Sequence, residues 1–77
     1  LEPELAKAWA ERGTTRVRLQ DLPGALGDFD RALRLDPGDA FTRSKRGALR
    51  EQLGDLRGAA ADLEEAHRIA FALDVFG

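Results

Sequence analysis

The sequence predicts an all-α fold of two stacked helical hairpins, and three observations lead to this prediction. Shifting the 77-residue sequence by 34 residues leaves 43 aligned positions, of which 14 are identical. Within each 34-residue unit, apolar residues recur at the three- and four-residue spacing of amphipathic helices. Clusters of Gly, Pro and Asp lie between these stretches, where such residues end one helix and begin the next.

The first unit contains two predicted helices. Residues 6 to about 19 are rich in helix formers, and the turn Gln20-Asp21-Leu22-Pro23-Gly24 follows them. Pro23 suits the first turn of a second helix, because its missing N–H would have no helical partner there. Asp21 is placed to cap this second helix, which we expect to run to about Leu35.

The second unit repeats this plan. The second helix is expected to end, and a third to begin, at the run Asp36-Pro37-Gly38-Asp39. Its last residue is a capping aspartate. A third helix is expected from Ala40 to Leu53, and a fourth from Arg57 into the region 69–71. Small residues are placed where two helices must approach closely; these are Gly13, Ala25, Ala32, Gly47, Ala59 and Ala66. Helix–turn–helix units of this kind stack into a right-handed superhelix.

These residues resemble the tetratricopeptide repeat (TPR) family. The matching run in the first unit is Trp9…Arg12-Gly13…Leu19…Asp21-Leu22…Ala25…Phe29…Ala32…Leu35-Asp36-Pro37. The second unit matches less closely through Gly47…Leu53-Gly54-Asp55-Leu56…Ala59…Leu63…Ala66…Ile69, with Arg43 at the position of Trp9 and Phe71 at that of Pro37. The resemblance covers residues 1 to about 71, and it implies a right-handed TPR-type α-solenoid of antiparallel helix pairs.

The register of the resemblance divides the single domain 1–77 into a first repeat at 6–39 and a second at 40–73. Leu1-Glu2-Pro3 aligns with Leu35-Asp36-Pro37, which ends a repeat. Residues 1–5 are therefore expected to be the end of a preceding repeat, and residues 74–77 a C-terminal extension. The chain is then expected to be either two repeats cut from a longer array or a very small protein that retains part of a further repeat.

Two charged residues recur at the same offset in both units. Arg12 and Asp28 of the first unit reappear as Arg46 and Asp62 of the second, on adjacent predicted helices. We predict a partly buried salt bridge within each repeat. Such a pair fixes the register of two helices more than it adds net stability.

No arrangement of residues points to catalysis or to a bound cofactor. The chain has no cysteine and one histidine, His67, which excludes thiolate and multi-histidine metal sites within it. His67 has no nucleophile or carboxylate arrangement around it, and Ser44 lies outside a G-x-S-x-G context. The phosphate-binding glycine motif is absent, and so is the loop pattern of a calcium site around four aspartates, Asp28, Asp30, Asp36 and Asp39. We therefore predict a chain that is not an enzyme.

Charge and hydropathy argue against nucleic acid and membranes as partners. The net charge is −2, and no apolar run approaches the roughly 20 residues of a membrane span, so a cytoplasmic location is expected. An anionic partner is the weaker alternative, since several basic residues could form a positive stripe on the first helices: Arg12, Arg16, Arg18, Arg43, Lys45, Arg46 and Arg50. Against it, Arg12 and Arg46 have predicted carboxylate partners.

The resemblance implies that the first helix of each unit lines an inner groove that binds partner peptides. Helical spacing puts eight residues on that face, flanked by Arg18 and Lys45: Lys7, Ala10, Thr14, Val17, Phe41, Ser44, Ala48 and Glu51. Some TPR proteins bind acidic chaperone tails with a clamp of lysines and asparagines. That clamp is not expected, because Ala10 and Thr14 occupy its positions and the chain has no asparagine.

The C-terminal stretch is apolar where a proline stop and a polar loop would be expected, at Leu73, Val75 and Phe76. An extended last helix could fold back, pack on a following repeat or meet a second copy, so a homo-oligomer through these ends is one expectation.

The leading expectation is a non-catalytic protein–protein interaction module that binds another protein or peptide. The alternatives are a structural or oligomerisation segment of a longer array, and a regulatory TPR domain of a larger protein.

Overall fold

The structure, a computed structural model, describes the backbone of residues 3–76 and the side chains of residues 4–74. It contains four helices in chain order: α1 (Pro3–Arg18), α2 (Leu22–Leu35), α3 (Ala40–Gln52) and α4 (Leu56–Phe76). Helix α1 packs on α2, α2 on α3, and α3 on α4. No strand occurs in the described part of the chain, which confirms the all-α prediction.

Aspartate caps begin α2, α3 and α4. The side chains of Asp21, Asp39 and Asp55 each accept a hydrogen bond from the backbone N–H three residues later, at 3.1, 3.1 and 2.9 Å. Each bond satisfies one of the N–H groups that the first turn of a helix leaves without a partner. The caps predicted at Asp21 and Asp39 are therefore present, and Asp55 repeats the first of them.

The turn between the two helices of each hairpin has the same form in both units. Gln20 has a φ of 65° and its equivalent Gly54 a φ of 87°. The next residues, Asp21 and Asp55, donate backbone hydrogen bonds of 2.8 Å to the carbonyl five residues earlier. This is the bond of a Schellman motif, which closes a helix end on a left-handed residue.

Two helix ends lie beyond the predicted ones. Helix α1 begins at Pro3, three residues before the predicted start at Ala6. The physical reason is that Glu4 and Leu5 favour a helix, whereas the equivalent Gly38-Asp39 interrupts the chain before α3. Helix α4 runs through residues 74–76, because neither proline nor glycine follows Gly58 until Gly77.

The apolar core lies where α2 meets α1 and α3. Phe29 of α2 and Leu49 of α3 are each 1% exposed and form a cluster with Ala25. Partly buried side chains pack against this cluster: Val17, Leu22 and Leu26. The small residues predicted at close helix approaches are all buried: Gly13, Ala25, Ala32, Gly47, Ala59 and Ala66. The core therefore joins the two hairpins through one aromatic and one leucine side chain.

Candidate functional site

A groove runs between α1 and α3 in two compartments. The first has a volume of about 460 Å³ and the second about 240 Å³. Thr14 of α1 and Lys45 of α3 line both compartments. The Nζ of Lys45 donates a 2.9 Å hydrogen bond to Oγ1 of Thr14. This bond crosses the groove from one helix to the other and separates the two compartments.

Six of the eight predicted groove residues line these compartments: Lys7, Ala10, Thr14, Val17, Phe41 and Ala48. The other two, Ser44 and Glu51, line neither compartment. The α3 side chains that line the groove include Phe41, Lys45, Ala48 and Gln52, which follow one line along the helix. Ser44 and Glu51 lie roughly 60–90° away from that line around the helix.

The sequence reasoning missed further lining residues: Ala6, Glu11, Asp36, Asp39 and Thr42 in the first compartment, and Phe29, Leu49 and Gln52 in the second. A signal for Gln52 was available, since it lies four residues after the predicted Ala48. Asp36 and Asp39 come from the turn before α3. Their place in the groove depends on how the two hairpins pack and not on helical spacing.

Phe41 is the most exposed aromatic side chain of the groove. It is 71% exposed, and the Nζ of Lys45 lies 4.6 Å from the centre of its ring. The ring is therefore part of the groove and not of the core. A cation at this distance from an aromatic face is attracted to it, so Lys45 is held near both Phe41 and Thr14.

The charges of the groove are mixed in the first compartment and sparse in the second. Lys7 and Lys45 contribute the cations of the first compartment, and Glu11, Asp36 and Asp39 the acids. The carboxylate of Asp39 accepts hydrogen bonds from the backbone and the hydroxyl of Thr42, so it is committed to capping α3. The second compartment holds one charged side chain, Arg18, besides the shared lysine.

The ion pair predicted in the first hairpin is present. Arg12 donates from Nε and Nη2 to the two carboxylate oxygens of Asp28, each at 2.9 Å. The side chain of Asp28 is 3% exposed and that of Arg12 51%. Hydrogen bonding from Arg12 holds the pKa of Asp28 below its ordinary value, against the opposing effect of burial.

The equivalent pair in the second hairpin belongs to a larger network. Arg46 donates to the oxygens of Asp62 at 2.8 and 2.7 Å, and Arg50 donates to Asp62 at 3.0 Å. The Nη1 of Arg46 also donates to Asp30 on α2 at 2.9 Å. Burial acts to raise the pKa of Asp62, but the bonds from Arg46 and the charges of Arg50 and Arg43 outweigh it, so the pKa lies below its ordinary value.

These pairs use most of the basic stripe that the sequence suggested. Asp28 lies within 4 Å of the guanidinium groups of Arg12 and Arg16, and Asp62 within 4 Å of those of Arg43, Arg46 and Arg50. Arginines paired with buried carboxylates offer less charge to an external anion. Five of the seven basic residues of the stripe therefore lie next to a buried carboxylate of the same chain.

Trp9 of α1 contacts an arginine from each helix of the first hairpin. The guanidinium carbons of Arg12 and Arg31 are 4.7 and 4.9 Å from the centre of its ring. The second hairpin has Arg43 at the position of Trp9. In the first hairpin, stacking on the Trp9 ring therefore helps to hold α1 to α2. At the equivalent place in the second hairpin, Arg43 is the third arginine close to Asp62.

Other kinds of site find little support in residues 3–76. Within that range, no group of three or more His, Cys, Asp or Glu side chains is arranged to hold a metal ion. No helix of the same range combines the length and the apolar character needed to cross a membrane. His67 is exposed on α4. Comparison of the chain with protein-family models and with curated proteins finds no match.

Proposed function

We propose that this protein is a non-catalytic protein-interaction module of the TPR type, which binds a peptide or helix of a partner in the groove between α1 and α3. The observation that carries the proposal is Phe41, an aromatic side chain that is 71% exposed in the lining of this groove. Aromatic side chains placed in concave surfaces are frequent anchors of protein interfaces. A segment bound in the groove would remove apolar area of the Phe41 ring from water.

The equivalence of the two hairpins supports the TPR assignment. The caps at Asp21 and Asp55, the left-handed turn residues and the arginine–aspartate pairs recur at an offset of 34 residues. Equivalent units joined at a constant offset stack into a solenoid. A right-handed TPR-type solenoid of antiparallel helix pairs is the arrangement that this proposal assigns.

The lining of the groove suggests the chemistry of the ligand. Val17 and Ala48 line the second compartment and would contact an apolar side chain. Lys45 lies between this compartment and Phe41, and its hydrogen bond to the neutral hydroxyl of Thr14 could be exchanged for one to a carboxylate. We expect a short segment with an apolar anchor next to an acidic residue.

A peptide-display selection tests the proposal with a matched pair of variants. Peptides are selected from a random library on the wild-type chain, and their affinities are measured by fluorescence anisotropy. Phe41→Asp is expected to weaken binding at least about tenfold, and Lys7→Glu to weaken it less. Phe71→Asp is the control, because Phe71 is 68% exposed and lies on α4.

The two phenylalanine variants make the same chemical change at nearly equal exposure. Retention of affinity by Phe41→Asp, or equal losses in both variants, would contradict binding in the groove. Circular dichroism of each variant shows whether its helices are intact. The exposed apolar residues of α4 favour an additional role in oligomerisation, which does not involve this groove.

A further inference from the structure

One side of α4 exposes apolar residues whose equivalents in the first hairpin are buried or partly buried. Leu56 is 66% exposed and Leu63 44%, and Ala60 between them is also exposed. The equivalent residues of α2, 34 positions earlier, pack in or against the core cluster: Leu22, Leu26 and Phe29. Leu49 of α3 is part of that cluster. Helix α4 therefore carries a surface whose counterpart in the same molecule is covered by a helix.

Helix α1 presents the counterpart of the α3 surface that covers α2. Thr15 of α1 is the equivalent of Leu49, and Leu19, four residues later, is 73% exposed. The hydroxyl of Thr15 donates a 3.2 Å hydrogen bond to the carbonyl of Glu11. Its polar group is thus satisfied within α1, so the side chain can be covered without losing a hydrogen bond.

The charges on the two surfaces are complementary. Arg46 joins the hairpins through the 2.9 Å bond from its Nη1 to Asp30. Its equivalent Arg12 makes the same two bonds to its own aspartate through Nε and Nη2. In the described part of the chain, Nη1 of Arg12 has no second carboxylate. The residue equivalent to Asp30 is Glu64, an exposed acid on α4.

We propose that the protein self-associates head to tail, with α1 of one copy packed on α4 of the next. The contact repeats the packing of α3 on α2, and Arg12 of one copy reaches Glu64 of its neighbour in the way that Arg46 reaches Asp30. The two surfaces differ, so the contact is heterologous and each added copy exposes a new surface. Chains should therefore grow beyond two copies.

The contact buries less apolar surface than its template. Thr15 stands in the place of Leu49, and Leu63 in the place of Phe29. Both replacements reduce the apolar area removed from water. Association should therefore depend on concentration, and the groove between α1 and α3 stays open in the assembly because its α1 residues lie on a different side of that helix.

Sedimentation equilibrium of the wild-type chain between about 10 µM and 1 mM tests the proposal. The mean mass should rise continuously past that of two chains. Glu64→Arg should raise the concentration needed for association at least about tenfold, because it places two arginines together. The matched control is Glu65→Arg, on the next residue of α4. The residue equivalent to Glu65 in the first hairpin is Arg31, which stacks on Trp9 within its own hairpin. The concentration needed for association should therefore change less than about twofold in this variant.

Mixing two blocked variants separates a head-to-tail contact from a symmetric one. Thr15→Glu blocks the α1 surface and Glu64→Arg the α4 surface, so neither variant should associate alone. An equimolar mixture keeps one intact surface of each kind, and it should form complexes that stop at two chains. The emission of Trp9, the single tryptophan, is expected to change in that mixture, because Arg12, which lies 4.7 Å from its ring, becomes part of the contact.

Three results would overturn the proposal. The first is a wild-type chain that remains monomeric at about 1 mM. The second is a mass that levels off at two chains and is unchanged in Glu64→Arg. The third is an equimolar mixture of the two variants that shows no association although each variant retains its helical circular dichroism.

Discussion

Arg46 and Asp62 form a two-bond ion pair that ties α3 to α4, with N···O distances of 2.8 and 2.7 Å. Both side chains are mostly buried, at 14% and 4% exposure. In the first hairpin the equivalent aspartate is equally buried, but Arg12 is half exposed. The repeated pair therefore has unequal surroundings, and its removal should have unequal effects.

Replacing the two aspartates by asparagine should reveal this difference. Asp62→Asn leaves three arginines around a buried site without an anion, and a loss of about 3 kcal/mol in the free energy of unfolding is expected. Asp28→Asn should cost less than half as much, because water solvates the exposed guanidinium of Arg12. Urea unfolding at pH 7, followed by circular dichroism, measures both. A loss in Asp28→Asn equal to that in Asp62→Asn would contradict the expectation.

Acid should destabilise the protein through the same two carboxylates. The pKa values of Asp28 and Asp62 lie below the ordinary value of 3.8. The unfolded chain therefore binds protons more tightly at these groups than the folded chain does. Their contribution to stability is complete above about pH 5 and is lost as the pH falls through the folded-state pKa values.

Thermal unfolding at a series of pH values checks this prediction. The Tm should be nearly constant from pH 7 to about 5 and fall below about pH 4. The fall should be shallower in Asp62→Asn than in the wild type, since one of the two titrating groups is missing. An unchanged slope in that variant would show that other acids control the acid response.

Gly13 and Gly47 are equivalent, yet alanine should be tolerated at only one of them. A Cβ at Gly13 would lie 2.7 and 2.8 Å from ring atoms of the buried Phe29. A Cβ at Gly47 would lie no closer than 3.2 Å to its neighbours, one of which is the half-exposed Leu63. Both substitutions gain about 1 kcal/mol of helix propensity.

The contact with Phe29 should outweigh that gain. We expect Gly13→Ala to lower the free energy of unfolding by about 1–3 kcal/mol, and Gly47→Ala to change it by less than about 1 kcal/mol. Urea unfolding measures both variants. A Gly13→Ala protein as stable as the wild type would mean that α1 and α2 can separate slightly without loss of packing.

The two turn residues should respond in opposite directions. Gln20 has a φ of 65°, a conformation that L residues adopt at a cost, and Gly54 holds the equivalent position. Gln20→Gly should raise the free energy of unfolding by up to about 1 kcal/mol, and Gly54→Ala should lower it by about 1 kcal/mol. A Cβ at Gly54 would meet no atom within 4 Å, so only the backbone conformation is tested. Stabilisation by Gly54→Ala in a thermal melt would rule out this explanation.

The groove shows where helical spacing succeeds and where it fails. The spacing places Lys7, Ala10 and Thr14 on one side of α1, and all three line the groove. On α3 the predicted residues Phe41 and Ala48 line the groove, whereas Ser44 and Glu51 lie farther around the helix and outside the lining. Because a helix has 3.6 residues per turn, residue spacing alone defines the side of α3 that faces the groove only to within about a quarter of a turn. The packing of α3 on α2 decides which side of α3 faces α1 across the groove.

The local features of this protein follow from its sequence: the four helices, the caps at Asp21 and Asp39, and the turns between them. These features depend on bonds between residues three to five positions apart, so the residue types and their spacing are sufficient. The 34-residue period also predicted the arginine–aspartate pairs within each hairpin, because equivalent residues in equivalent units meet in the same way.

How the two hairpins meet depends on contacts between residues far apart in the sequence. It placed Asp30 against Arg46, put Asp36 and Asp39 into the groove, and left Leu56 and Leu63 of α4 exposed. Each of these results depends on the rotation and separation of helices from different units. Many rotations satisfy the same apolar pattern, and the contacts of large side chains such as Phe29 and Leu49 select one of them.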